Sequence, residues 1–118
     1  MSKIFYSKII PFRGFVAINL FGFIIIRKEY KPLIELLSVL INHEHIHTEQ
    51  WKELLYILFL PLYLLNYLIN LLIYFNFRKA YRNICFEREA YVNQYDFMYI
   101  GKRKRFSWWY YIIDKKNG

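Results

Sequence analysis

The sequence predicts an α+β fold that is mainly α, a short N-terminal β-hairpin followed by three or four helices. Three observations point there. An apolar run rich in β-branched residues, Phe15 to Ile26, is interrupted by Asn19 and Gly22, the pattern of two short strands joined by a turn. From Pro32 onward, apolar residues recur at helical spacing. Only four Gly and three Pro punctuate 118 residues, too few for a loop-rich or disordered chain. That length suits one domain, 1–118, with a modest core. Its regions are a strand or hairpin region at 1–31, a motif helix at 32–60, an apolar helix at 62–76, a further helix at 78–98 and a basic-aromatic tail at 101–118.

The N-terminal region carries Lys3, Lys8 and Arg13 among aromatic and β-branched residues. Followed by the run 15–26 it superficially resembles a signal peptide, but it lacks a small-residue cleavage site and ends in Arg27-Lys28-Glu29, so it is read as uncleaved. The run is also too short to span a bilayer, which leaves the hairpin reading.

Pro32 is placed to open the next helix, and Leu33, Ile34, Leu36, Leu37, Leu40 and Ile41 give it an apolar face. Mid-helix lies His43-Glu44-His45-Ile46-His47, which contains the spacing H-E-x-x-H. Two histidines four apart on a helix lie about 40° from one another around the axis, so both imidazoles can reach one metal ion. Imidazole nitrogens suit zinc, and Glu44 falls where it can take a proton from a water at the metal. His45 points to nearly the opposite face and is read as backing the site or facing solvent. The alternative, a His-rich helix that meets the pattern by chance, is weakened because all three histidines of the chain fall within these five residues. Gln50 shares the face of His43 and His47, where it either touches a ligand or is merely solvated.

Leu54 to Phe75 is 22 residues without a charge, a transmembrane candidate by length and composition. Hydrophobic content of 57%, aromatic content of 22% and a net charge of +8 agree with a membrane-associated protein, at a bacterial inner membrane or its cytoplasmic face, with lipid as a partner. Pro61 is expected to kink or end the helix near Leu60, and Asn66 and Asn70 form a polar pair on one face. A straight helix would put His47 and Phe75 about 42 Å apart, and a helix starting at Arg78 could return only about 14 Å by Glu87. A site shared by His47 and Glu87 therefore requires a bend. The single cysteine, Cys85, excludes an intramolecular disulfide and a Cys-rich zinc site.

Arg78 to Met98 reads as a helix on which Glu87 is flanked at helical spacing by Asn83, Ala90, Tyr91 and Gln94. Gly101 ends it. Lys102-Arg103-Lys104-Arg105 then precedes Phe106-Ser107-Trp108-Trp109-Tyr110-Tyr111, cations beside rings as a membrane interface favours. A nucleic acid is the weaker partner, because no RNA-binding fold signature accompanies the tail.

The chain resembles the gluzincin group of metallopeptidases, and within it membrane-embedded members such as the CaaX-type prenyl protease and the antibiotic-sensor metallopeptidases. The resemblance rests on H-E-x-x-H at 43–47 and on Glu87-Arg88-Glu89-Ala90, which matches the E-x-x-A of the second helix in those families; where they usually place Asp after the Ala, this chain has Tyr91. It implies that the two helices pack together, that His43, His47 and Glu87 are zinc ligands, that Glu44 is the catalytic base and that Glu89 is not a ligand. It also implies that an edge strand beside the motif helix holds substrate by β-augmentation. The expected activity is hydrolysis of peptide bonds in a peptide or protein substrate by a zinc-activated water, with Tyr91 stabilising the oxyanion. The rivals are a non-enzymatic membrane protein with a structural or vestigial metal site, and a basic nucleic-acid-binding module.

Overall fold

The computed structural model describes residues 3–8, 16–30 and 32–113. Among these, an N-terminal three-stranded sheet precedes six α-helices, an α+β arrangement that is mainly α. The expected hairpin is present as β2 (Ala17–Leu20) and β3 (Phe23–Arg27), antiparallel with Leu20 opposite Phe23 and Ala17 opposite Ile26. Phe21 and Gly22 join them with positive φ at both positions (52° and 90°), as the tightest hairpin turn requires. Phe21 accepts that conformation because its ring packs 4.7 Å from Trp51. A third strand, β1 (Ile4–Ser7), pairs in parallel with β3, so the order is β1-β3-β2 and β2 is an edge among the described residues. Ile24 and Ile26 are wholly buried on one face of β3.

Helix α1 (Ile34–Glu53) carries the histidines. The sheet is fastened to it by Asn19, whose amide donates to the Glu44 carbonyl (2.8 Å) and to Thr48 Oγ1 (2.7 Å), while its Oδ1 accepts from Gly22 N–H. Helix α1 ends at Glu53, so the 32–60 helix expected from the sequence is too long. The break lies well before Pro61, at Leu55 and Tyr56, both left-handed with φ of 58° and 60°. Pro61 instead lies in the first turn of α2 (Phe59–Tyr74), where a missing N–H costs no helical bond.

The 22-residue uncharged stretch is thus a turn followed by a 16-residue helix. At about 24 Å that helix is shorter than the ~30 Å hydrocarbon core of a bilayer. No helix among the described residues is long and apolar enough to cross a membrane. The transmembrane reading, and the membrane localisation built on it, are corrected accordingly.

The 78–98 helix is two helices, α3 (Phe77–Arg82) and α4 (Cys85–Asn93). Between them Ile84 is extended, and the Cys85 N–H that opens α4 donates to Asn66 Oδ1 of α2 (2.8 Å). Asn70 of α2 donates to the Ala80 carbonyl (3.0 Å). The polar pair of the apolar stretch therefore joins three helices. Gly101 does not stop a helix but lies inside α5 (Tyr99–Lys102), after which a 3-10 turn at Ser107–Trp109 leads into α6 (Tyr110–Ile113). The tail expected at a membrane interface folds back: Trp108 is buried in an aromatic core with Trp51, Leu54, Phe59, Ile84, Cys85 and Phe86. Trp51 stacks on Phe59 at 4.5 Å, Phe59 meets Phe86 at 4.8 Å, and Phe86 meets Trp108 at 5.0 Å. Fully burying an aromatic side chain is worth on the order of 2–3 kcal/mol, so this cluster is the main bond between α1, α2, α4 and the C-terminal turn.

Candidate metal centre

Helices α1 and α4 pack side by side. Asn42 helps fix their relation by donating to the Gln94 carbonyl (2.7 Å) and the Asp96 carbonyl (3.1 Å). Between the helices three atoms meet: His43 Nε2, His47 Nε2 and Glu87 Oε1, each 3.2 Å from the other two. The His43, Glu44 and His47 donor atoms lie within 4.8 Å of one another. All four side chains are buried, with relative exposures of 4–7%. A buried His/Glu group that could hold a metal ion is therefore present.

The hydrogen bonds behind these side chains decide which atoms face inward. Gln50, wholly buried, donates from its amide nitrogen to the Phe86 carbonyl and to Glu89 Oε1, both at 3.0 Å. Its oxygen must then face His47 Nδ1, 2.7 Å away, and accept a proton from it. His43 Nδ1 lies 2.8 Å from Gln94 Oε1 in the same sense. With Nδ1 protonated, each neutral imidazole turns the Nε2 lone pair to the common point. Glu87 Oε1 turns there too, because Tyr63 of α2 donates to the other oxygen, Oε2, at 2.7 Å. Three acceptors 3.2 Å apart repel unless a cation lies among them. Four ligands at 2.0–2.1 Å in a tetrahedron are about 3.3 Å apart, so the triangle matches one face of a zinc coordination shell.

Without a metal, the cation among them is a proton on His47 Nε2, shared with Glu87. Burial alone would depress the His47 imidazolium, but the charge and hydrogen bond of Glu87, helped by Glu44 and Gln50, overrule it and raise its pKa to about 10. Burial would raise Glu87, yet His47 and His43 hold its carboxyl well below the usual range. Glu44 moves the other way. Burial raises it, with Glu87 adding repulsion and the two histidines only partly offsetting both. The two carboxylates thus differ in proton affinity.

Tyr91 sets its ring against His43, 4.6 Å between centroids and edge-on, and its hydroxyl bonds to Tyr81 Oη at 3.0 Å. The Arg82 guanidinium lies 3.9 Å from the centre of the Tyr91 ring. Glu89, two residues from Glu87, faces away: it is wholly buried and held by Arg103, by Tyr99 Oη (2.7 Å) and by Gln50. Arg103 also forms a two-pronged pair with Glu53 (2.7 and 3.0 Å). His45 is half-buried on the far side of α1, as its helical phase requires.

No family model matches the chain, and no curated protein or solved structure is similar to it. Sequence reasoning missed Tyr63 and the orienting role of Gln50. A signal for Tyr63 existed, since Phe59, Tyr63, Asn66 and Asn70 recur every three or four residues in an otherwise aliphatic run.

Proposed function

We propose that the chain is a zinc-dependent peptidase of the gluzincin type, with His43, His47 and Glu87 holding the ion. The observation that carries this reading is the convergence of His43 Nε2, His47 Nε2 and Glu87 Oε1, 3.2 Å apart, oriented by Gln94, Gln50 and Tyr63 respectively. The motif pair H-E-x-x-H and E-x-x-A supports it. Zinc supplies Lewis acidity to a substrate carbonyl and makes water a nucleophile near neutral pH.

The side chains do the rest. Glu44, with its proton affinity raised, takes the proton from the attacking water and returns it to the leaving amine. The Tyr81 and Tyr91 hydroxyls share one hydrogen bond, which leaves one phenolic proton to be directed at the developing oxyanion. β2, an edge strand among the described residues and tied to α1 through Asn19, offers backbone groups to an extended substrate.

A second reading, a structural metal centre without catalysis, is favoured by the 4–7% exposure of the four side chains, since structural zinc sites are closed. Metal analysis of the purified protein and of Glu44→Gln separates the two. Both proteins are expected to hold about one zinc per chain, a content lost in His43→Ala, His47→Ala and Glu87→Ala. Cleavage of a fluorogenic peptide library by the parent but not by Glu44→Gln is the peptidase result; zinc without cleavage leaves the structural centre. Full zinc content in Glu87→Ala would overturn the ligand set.

A further inference from the structure

Helix α2 is turned inside out. Its inward stripe is Phe59, Tyr63, Asn66 and Asn70, and three of these make the hydrogen bonds that reach Glu87, Cys85 and Ala80. Its outward face is aliphatic. Leu58, at the N-cap, and Leu65 and Leu72 within the helix recur every seven residues, with Pro61 and Leu68 between them at three- and four-residue steps. This is the seam spacing of a helix packed along another helix, and the flanking positions are also Leu or Ile. Leu58, Leu65, Leu68 and Leu72 are 50–74% exposed, and Phe75 is 86% exposed.

We propose that this face is a two-fold interface, with α2 of a second copy of this chain lying antiparallel across it. Three observations select that occupant. The face has no charge of either sign from 54 to 75, so nothing in it selects a charged partner, whereas an isologous contact needs only a self-complementary surface. Its exposed aliphatic side chains offer on the order of 700 Å² per copy, near the ~800 Å² per partner of a stable interface and above the largest apolar patch of a typical monomer. The cations Arg78, Lys79 and Arg82 follow the end of α2 directly. A parallel pair would bring both sets together; the antiparallel pair puts them at opposite ends. An axis between Leu65 and Leu68 then sets Leu65 on Leu68 and Pro61 on Leu72 of the other copy.

Sedimentation of the full chain in detergent-free buffer tests this, and the expected mass is twice the 14.7 kDa of the chain. Leu68→Glu, at an exposed position, is expected to give a monomer with unchanged far-ultraviolet circular dichroism, as is Leu65→Glu. Under mild oxidation, Leu65→Cys/Leu68→Cys is expected to give a covalent dimer and Leu72→Cys none; the native Cys85 is buried and does not interfere. A parent that stays monomeric up to high micromolar concentration overturns the proposal, as does a dimer that survives both glutamates. A covalent dimer of Leu72→Cys overturns the antiparallel arrangement. A monomer that floats with uncharged phosphatidylcholine vesicles overturns it too and assigns the face to lipid.

Discussion

Gln50 shows how much one buried amide can decide. By donating to Phe86 and Glu89 it fixes its own orientation, and with it the tautomer of His47. Gln50→Leu is expected to lower zinc affinity by roughly 10–100-fold, the usual effect of losing a residue that orients a ligand, as read in a competition with a chromogenic chelator. Tyr63→Phe removes the bond that leaves only one Glu87 oxygen for the histidines. Hydrogen bonds to charged groups are worth about 1.5–3 kcal/mol, so the metal-free variant should lose about that much stability in urea unfolding. The histidines and Glu44 were legible in the sequence because helical phase alone places them. Gln50 was legible only as sharing their face. Tyr63 was legible only as a member of the polar-aromatic stripe of α2, and its partner was not, because the contact with Glu87 spans 24 residues and two helix breaks that no local pattern specifies.

At the level of elements, geometry along the chain demands a turn between His47 and Glu87, but nothing local says where. Proline is the obvious breaker, yet in the first turn of a helix it breaks nothing. The actual corner uses Leu55 and Tyr56 in left-handed conformations, which carry no propensity signal and are held by the burial of Leu54 and a bond from Tyr56 N–H to the Trp51 carbonyl (2.8 Å). β1 is invisible in the sequence for a related reason, since it is short and its partner on β3 lies far along the chain, Ile4 opposite Ile24. The apolar stretch misleads by composition: hydropathy counts residues, whereas α2 is defined by where its few polar ones point. Asn66→Ala, which strips the cap from α4, is expected to cost about 1 kcal/mol and lower the thermal midpoint by a few degrees, with Asn83→Ala on the exposed side a weaker control.

For the whole molecule, pH is the sharper probe. The folded His47 has its pKa raised to about 10 from the ordinary 6.5, so the stability it contributes is fully present below pH 6.5 and is lost as pH rises through about 10. Metal-free protein is expected to unfold at progressively lower urea between about pH 7 and pH 10, a slope that His47→Gln should flatten; a flat profile in the parent would contradict the assigned pairing with Glu87. Arg103 joins Glu53 and Glu89 with its side chain only 4% exposed, and its replacement by Met leaves two carboxylates facing one another in the interior. A loss of about 3–5 kcal/mol is expected in urea unfolding, as for any buried pair deprived of one member. The same contact bears on the order of events during synthesis. Glu53 and Arg103 are 50 residues apart, and Trp108, which closes the aromatic core, comes later still. A nascent chain that has emerged only through α4 carries both helices of the metal site but neither the guanidinium nor the indole that holds them together. A chain stopped at Asn93 is therefore expected to dock these helices more weakly than the chain through Trp108, which limited proteolysis of the two lengths would compare.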